Sequence, residues 1–211
     1  TAIGDNAQAT NQTATAIGLN TLASGQRAVA IGENAQAIAS NATAIGKGTT
    51  ADFQNSTAIG LNTTSSGNAS TSMGNNTTAS GSNSTATGGS TTASGTNSFA
   101  GGQSSEANGT GSTAHGISVT ASSIGETVIG LNEIVKAGSP ATWVGTDRVF
   151  TVGNGSDGST RSNALEILKN GNIIANGVLA NVYSNDATAA AGGVPIGGLY
   201  HTSGSIKIRL T

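Results

Sequence analysis

The fold is decided by a 14-residue unit that recurs without a break: TAIGLNTTSSGNAS at residues 57–70, TSMGNNTTASGSNS at 71–84 and TATGGSTTASGTNS at 85–98. Each unit carries a glycine at a fixed place, which we call the marker glycine. Steps of 14 in both directions give the whole series: Gly4, Gly18, Gly32, Gly46, Gly60, Gly74, Gly88, Gly102, Gly116 and Gly130. Glycine makes up 32 of 211 residues, so this spacing does not arise by chance.

The positions around the marker repeat as well. Alanine dominates two residues before it, and a second glycine recurs seven residues after it, as at Gly25 and Gly67. One residue before the marker lies the isoleucine column: Ile3, Ile17, Ile31, Ile45, Ile59, Met73 and Ile129. A unit this short suits one coil of a parallel β-solenoid, with two short strands and two turns. We expect both glycine columns to provide the positive φ of sharp turns.

The composition predicts that such a solenoid does not stand alone. Aromatic residues are 3% of the chain, and each coil offers only about one isoleucine and two alanines to bury. That burial is small against the entropy lost on ordering a coil. Chains with thin cores recover stability by oligomerising. We therefore predict a parallel homotrimer, with the isoleucine column in the core of the coil and of the trimer.

The units at 15–32, 43–60 and 57–74, with their A-I-G cores and A-S-G turns, resemble the YadA-like head repeats of trimeric autotransporter adhesins. The resemblance covers residues 1–130. It implies an all-β fold in which three left-handed parallel β-rolls form a homotrimer, and a role in adhesion. Bacteriophage fibres use the same repeat, so the chain could come from a bacterial adhesin or from a phage fibre.

The composition changes after residue 130, where most of the basic and aromatic residues occur. We predict a small β-rich C-terminal module over residues 131–211 that closes the trimer. Its expected elements are strands at Arg148–Val152, Leu165–Leu168 and Ile173–Leu179, a type I′ turn at Asn170-Gly171, a helix capped by Asp186 that stops at Gly192, and a hairpin from Gly198 to Leu210 around Ser203-Gly204.

Two C-terminal stretches resemble segments of phage fibre and virion proteins: VGNG…RSNALEILKNGN at 152–172, and the ending GGVPIGGLYHT…IKIRL at 192–210. They favour a structural fibre of a bacteriophage, on the virion surface, with other virion proteins and a host cell-surface glycan or protein as partners. The alternative is the head of a bacterial trimeric surface adhesin. An ice-binding solenoid is a further alternative.

Several functional classes are disfavoured. Charged residues are 9% of the chain and the net charge is −2, so a cationic nucleic-acid face is not expected. Cysteine is absent, which excludes disulfides and cysteine metal sites. No catalytic constellation is evident, so we predict no enzyme activity and no cofactor. We also expect no membrane insertion, because no apolar run is long enough.

The remaining candidates are surface features. His115 interrupts the isoleucine column and would meet its copies at a trimer axis, where it is a candidate metal or anion ligand. Tyr200, His201, Lys207 and Arg209 are candidate receptor contacts on the terminal hairpin. Ranks of threonine suggest the ice-binding face: Thr15, Thr43, Thr57, Thr71, Thr85, Thr113 and Thr127, and a second rank of Thr21, Thr49, Thr63, Thr77 and Thr91.

Overall fold

A computed structural model describes residues 1–211, apart from the side chains of Val178 and Leu179. The strands of the repeat region are β1 Ala2–Ile3, β2 Gln8–Ala9, β3 Thr15–Ile17, β4 Leu22–Ala23, β5 Val29–Ile31, β6 Gln36–Ala37, β7 Thr43–Ile45, β8 Thr50–Ala51, β9 Thr57–Leu61, β10 Thr64–Ser65, β11 Thr71–Asn75, β12 Thr78–Ala79, β13 Thr85–Gly89, β14 Thr92–Ala93, β15 Phe99–Gln103, β16 Glu106–Ala107, β17 Thr113–Ile117, β18 Thr120–Ala121 and β19 Thr127–Leu131. Beyond them lie β20 Arg148–Asn154, β21 Asn163–Leu168, β22 Ile173–Ala175, helix α1 Asn176–Ala180, helix α2 Asp186–Ala191, β23 Leu199–Thr202 and β24 Ser205–Ile208.

The repeat region is a parallel β-solenoid, as the 14-residue period predicts. Odd-numbered strands stack into one sheet and even-numbered strands into a second, nine-stranded sheet. The register repeats every coil, so that Ala2 pairs with Ala16 and Thr64 pairs with Thr78. Each coil therefore contributes one strand to each sheet, and the two sheets enclose a narrow interior.

Alanine lines that interior, together with buried serine and threonine. The alanines two residues before the marker, such as Ala30, Ala58 and Ala86, have 0% exposure and pack against those of the second sheet, such as Ala37 and Ala79. Because successive side chains of a strand point to opposite faces, the isoleucine column must then lie outside. The expectation that isoleucine forms the core of the coil is wrong within one chain.

The marker glycines are required for two physical reasons. Gly60 has φ +131°, a conformation that L side chains rarely adopt, and a Cβ there would lie closer than 3.0 Å to the backbone of Gly74 in the next coil. The second glycine column differs from the expectation. Gly25 and Gly67 do not have positive φ, and they are glycines because the next coil's carbonyl approaches too closely for a Cβ.

The left-handed turn conformation falls mainly to asparagine, which the sequence reasoning did not single out. The asparagines with φ between 52° and 59° are Asn6, Asn20, Asn34, Asn41, Asn55, Asn62, Asn76, Asn83 and Asn97. Asparagine tolerates this region better than other residues with a side chain. Some also bond between coils, as where Asn41 Nδ2 donates to Asn55 Oδ1 at 2.9 Å.

The first sheet continues past the last regular unit. Strand β20 pairs in parallel with β19, and Gly153 lies beside Gly130 as if it were a further marker glycine. The spacing is longer than 14 residues here because residues 132–147 form an irregular excursion between the two strands. Strands β21 and β22 then extend the sheet in antiparallel fashion, which makes it 13-stranded.

The C-terminal elements match the predictions in part. The strands at 148–152 and 165–168 and the terminal hairpin are present, with positive φ at Ser203 and Gly204. The chain is mostly β rather than all-β, because the strand expected to reach Leu179 ends at Ala175 and helix α1 follows. The type I′ turn is also wrong, since Gly171 has positive φ but Asn170 does not.

Helix α2 lies where it was expected but begins differently. Its N-cap is Asn185, whose side chain accepts from the backbone N–H of Thr188, and Thr188 returns a bond to the Asn185 backbone. Asp186, the predicted cap, instead accepts from the Tyr200 hydroxyl and from the Leu210 backbone N–H. Gly192 ends the helix, as predicted.

Candidate functional site

The outer face of the 13-stranded sheet exposes an apolar stripe. In the isoleucine column, Ile3 is 58% exposed, Ile59 37% and Ile129 38%. One residue after the marker, Leu19, Leu61, Ile117 and Leu131 are also exposed, in a row that they share with polar residues such as Glu33 and Lys47. Large apolar side chains aligned in one exposed column over several successive coils are unusual for a solvent-facing surface. This stripe is the main candidate for a protein interface.

The stripe is interrupted where Thr87, Gly101 and His115 follow one another in the isoleucine column. The His115 ring stacks on Phe99, with ring centroids 6.2 Å apart. Gly101 leaves room for this pair, because a Cβ there would lie 2.8 Å from the His115 ring. Among the described side chains, no group of three or more His, Cys, Asp and Glu residues comes together. His115 as an axial ligand therefore remains a prediction about an assembly.

The two threonine ranks lie in different environments. The first rank, such as Thr57, is half-buried and shares the outer face with the isoleucine column. In the second rank, Thr21 is 1% exposed, and Thr49, Thr63, Thr77 and Thr91 are 0% exposed. An ice-binding surface must be open to solvent, so the second rank does not contribute to one and that expectation is wrong.

The terminal hairpin does not present the expected receptor-contact group together. Tyr200 is buried, and its hydroxyl donates to Asp186 Oδ1 at 2.6 Å, which raises the pKa of Tyr200 and lowers that of Asp186. Arg209 bonds the Val194 carbonyl oxygen. Lys207 is exposed and His201 is half-buried. Tyr200 is therefore a core residue of this unit, and its prediction as a receptor contact is wrong.

The other face of the hairpin is apolar and open. Leu199 pairs with Ile208, and Ile206 lies on the same side of β24. Ile206 is 69% exposed and Ile208 54%. The apolar side of β24 therefore faces outward in the single chain.

No cleft or cavity is found in the described part of the chain. No described helix has the length and apolar character needed to cross a membrane. The candidate functional features are all on the surface. They are a long apolar stripe, turns rich in asparagine, and a C-terminal unit with an exposed apolar face.

The comparison with known families agrees with this geometry. The model described as "YadA head domain repeat (2 copies)" matches residues 1–21, 23–49, 37–63, 54–77, 65–91, 79–105 and 93–116. These matches cover more than half of the chain. The chain belongs to the YadA head repeat family. The resemblance inferred from the A-I-G and A-S-G patterns is thereby confirmed for the repeats.

YadA head repeats are modules of non-enzymatic adhesin fibres, so the prediction that the chain is not an enzyme is confirmed. The matches end at residue 116, and none of them extends to the stretches that resemble phage fibres. The phage hypothesis therefore gains no support, and the adhesin alternative is the better supported of the two. No curated protein matches the chain.

Proposed function

We propose that this chain is the head of a homotrimeric bacterial surface adhesin, and that it holds a binding surface away from the cell. The membership of residues 1–116 in the YadA head repeat family supports this proposal. Adhesins of that family are homotrimers that bind host molecules outside the bacterial cell. Left-handed coiling of the solenoid is part of the same proposal.

One structural observation carries the trimer: the exposed stripe of isoleucine and leucine on the 13-stranded sheet. Alanine, serine and threonine already fill the interior of each coil, so these larger side chains have no place to go within one chain. Burying the area that each still exposes gains on the order of 1–2 kcal/mol. Stripes from three parallel chains would form a shared core, which the alanine interior alone is too thin to supply.

In this arrangement the C-terminal unit, residues 131–211, would close the trimer. The open apolar side of β24 is suited to contact with a neighbouring copy. The exposed turns and the polar outer strands of the nine-stranded sheet are then the surface left for a host glycan or protein. Threefold presentation multiplies weak contacts into firm attachment.

Adhesion by coated beads tests the function. Fluorescent beads carrying the purified protein are applied to eukaryotic cells, to a glycan array and to a panel of bacterial cells. The adhesin proposal predicts retention on eukaryotic cells or glycans. Retention on bacterial cells alone would replace it with the phage-fibre hypothesis. Retention on none of these surfaces would contradict both attachment functions.

A matched pair of variants tests whether adhesion depends on assembly of the trimer. Ile59→Asp places a charge in the exposed stripe, while Thr64→Asp places the same charge on the outer side of the nine-stranded sheet. The proposal predicts that Ile59→Asp dissociates the trimer and lowers bead retention at least tenfold. Thr64→Asp should keep the trimer. Equal effects of the two changes would remove the stripe from the interface.

A further inference from the structure

The nine-stranded sheet has an edge at β18, where the stack of short strands stops. In the preceding coil, backbone amides that point along the solenoid donate to carbonyls of the next coil. Glu106 N–H donates to Val119 O at 2.8 Å, and Asn108 N–H donates to Ala121 O at 2.8 Å. The chain leaves this register after Asn132, so β18 is the last strand of the sheet.

Side-chain carboxylates take the place of the absent strand. The Thr120 amide, one coil after that of Glu106, donates to Glu133 Oε1 at 2.7 Å. The Ser122 and Ser123 amides donate to Glu126 Oε2 at 2.8 and 2.9 Å. In every earlier coil the amides equivalent to those of Thr120 and Ser122 bond backbone carbonyls of the next coil. Here two glutamates accept from them instead.

Both glutamates are buried and held in place. Glu126 Oε1 lies 2.7 Å from Arg148 Nε, and both side chains are almost fully buried. Arg148 Nη1 donates to the Ile134 carbonyl oxygen at 2.8 Å. Glu133 has 0% exposure, and Arg161 Nη1 donates to its backbone oxygen at 3.0 Å. The carboxylates are therefore tied to the irregular excursion and to β20.

We propose that Glu126 and Glu133 form a cap that closes the C-terminal edge of the nine-stranded sheet and blocks the addition of a strand from a second copy of this chain. An exposed row of amides at a sheet edge is a template for such pairing. The cap removes the template by occupying its donors. The inference depends on contacts within one chain and is independent of the proposed adhesive function.

Hydrogen exchange at single amides tests the cap. In the unmodified protein the Thr120, Ser122 and Ser123 amides should exchange as slowly as those of Glu106 and Asn108. Exchange of the edge amides at the rate of exposed turn amides would overturn the proposal. This measurement needs no variant, so it stands even if substitutions unfold the protein.

Two variants of Glu133 distinguish the effect of losing the acceptor oxygen from the effect of losing the negative charge. Glu133→Ala removes the oxygen that Thr120 bonds and should speed exchange of that amide at least tenfold. It should also produce assemblies larger than the wild type in sedimentation velocity at high concentration. Glu133→Gln keeps an acceptor oxygen and should stay within about threefold of wild type.

Glu106→Ala is the matched control, because Glu106 is an exposed glutamate in the same sheet, one coil away. It should change neither exchange at Thr120 nor the sedimentation profile. Unchanged exchange or unchanged assembly in Glu133→Ala, with its far-UV circular dichroism intact, would overturn the cap.

Discussion

Adjacent glycines in β13 allow a sharp test of the solenoid geometry. Gly88 has φ +112°, and a Cβ there would lie closer than 3.0 Å to the carbonyl oxygen of Gly102 in the next coil. For Gly88→Ala, backbone strain costs about 1–3 kcal/mol. Separating the coils to relieve the clash weakens ladder hydrogen bonds that contribute about 1 kcal/mol each. We expect a total loss of about 3–5 kcal/mol in the free energy of unfolding.

The neighbouring residue provides the control. A Cβ on Gly89 meets nothing within 4 Å, and its φ is not positive. Gly89→Ala should therefore change the free energy of unfolding by less than about 1 kcal/mol, because the added methyl mainly restricts the unfolded chain. Both variants are compared with wild type by urea unfolding followed by circular dichroism.

Equal unfolding midpoints for the two variants would refute the reasoning. It would mean that the marker glycine is tolerant of a side chain, so that the coils are not stacked as closely as described. A destabilisation confined to Gly88→Ala supports positive φ and close backbone approach as the reason for the 14-residue glycine period.

The remaining predictions concern the C-terminal half. Arg148→Ala leaves Glu126 buried without its partner and should cost about 3–5 kcal/mol in urea unfolding, whereas removing the exposed Lys47 by Lys47→Ala should cost less than about 1 kcal/mol. Burial raises the pKa of Glu133 to about 7 from 4.5, despite the Thr120 amide and the positive charges of Arg148 and Arg161. The folded protein then holds more protons than the unfolded chain between these values, so stability should fall by about 1–3 kcal/mol as pH rises from 4.5 to 7. Urea midpoints across this range should follow that slope in wild type and lose it in Glu133→Gln; an unchanged slope would contradict the assignment. The pKa values of Asp157 and Asp186 are lowered, so these carboxyl groups change the stability only at more acidic pH. Asn185→Ala removes the N-cap of α2 and should cost about 1 kcal/mol locally, seen as faster amide exchange at Thr188; unchanged exchange there would contradict the capping role.

The repeat period alone predicts the parallel solenoid and the positions of its marker glycines. It does not predict which apolar column faces inward, because Ala58 and Ile59 are adjacent and alternation allows either choice. The narrow coil decides the matter, since its interior accepts only a small side chain. The sequence also misassigns the left-handed turns, which asparagine rather than the second glycine column provides.

Other features were missed although a signal was present. The tetrapeptide Phe150-Thr151-Val152-Gly153 resembles Thr127-Val128-Ile129-Gly130, and the two pair in register in the structure. A search for the fixed 14-residue spacing passes over it, because the excursion lengthens the interval. The similarity of the two tetrapeptides, sought without fixed spacing, would have shown that the predicted strand pairs with β19 as a further coil.

The glutamate cap left only a partial signal. By steps of 14, Glu126 and Glu133 fall in columns that hold small buried residues in the earlier coils, such as Ser112 and Val119. The substitution marks both positions as unusual, but their role follows from the departure of the backbone from register after Asn132. That departure depends on the packing of the excursion and of Arg148 on β20. Pairwise contacts between residues distant in sequence are not readable from a periodic pattern.

The central claim is that the exposed isoleucine stripe is the interface of a trimer. The most direct test is the mass of the purified 20.3 kDa chain in solution, measured by light scattering coupled to size exclusion. The account predicts a single species of about 61 kDa, three times the chain mass. A monodisperse species at 20.3 kDa, with its stripe open to water, would contradict the account.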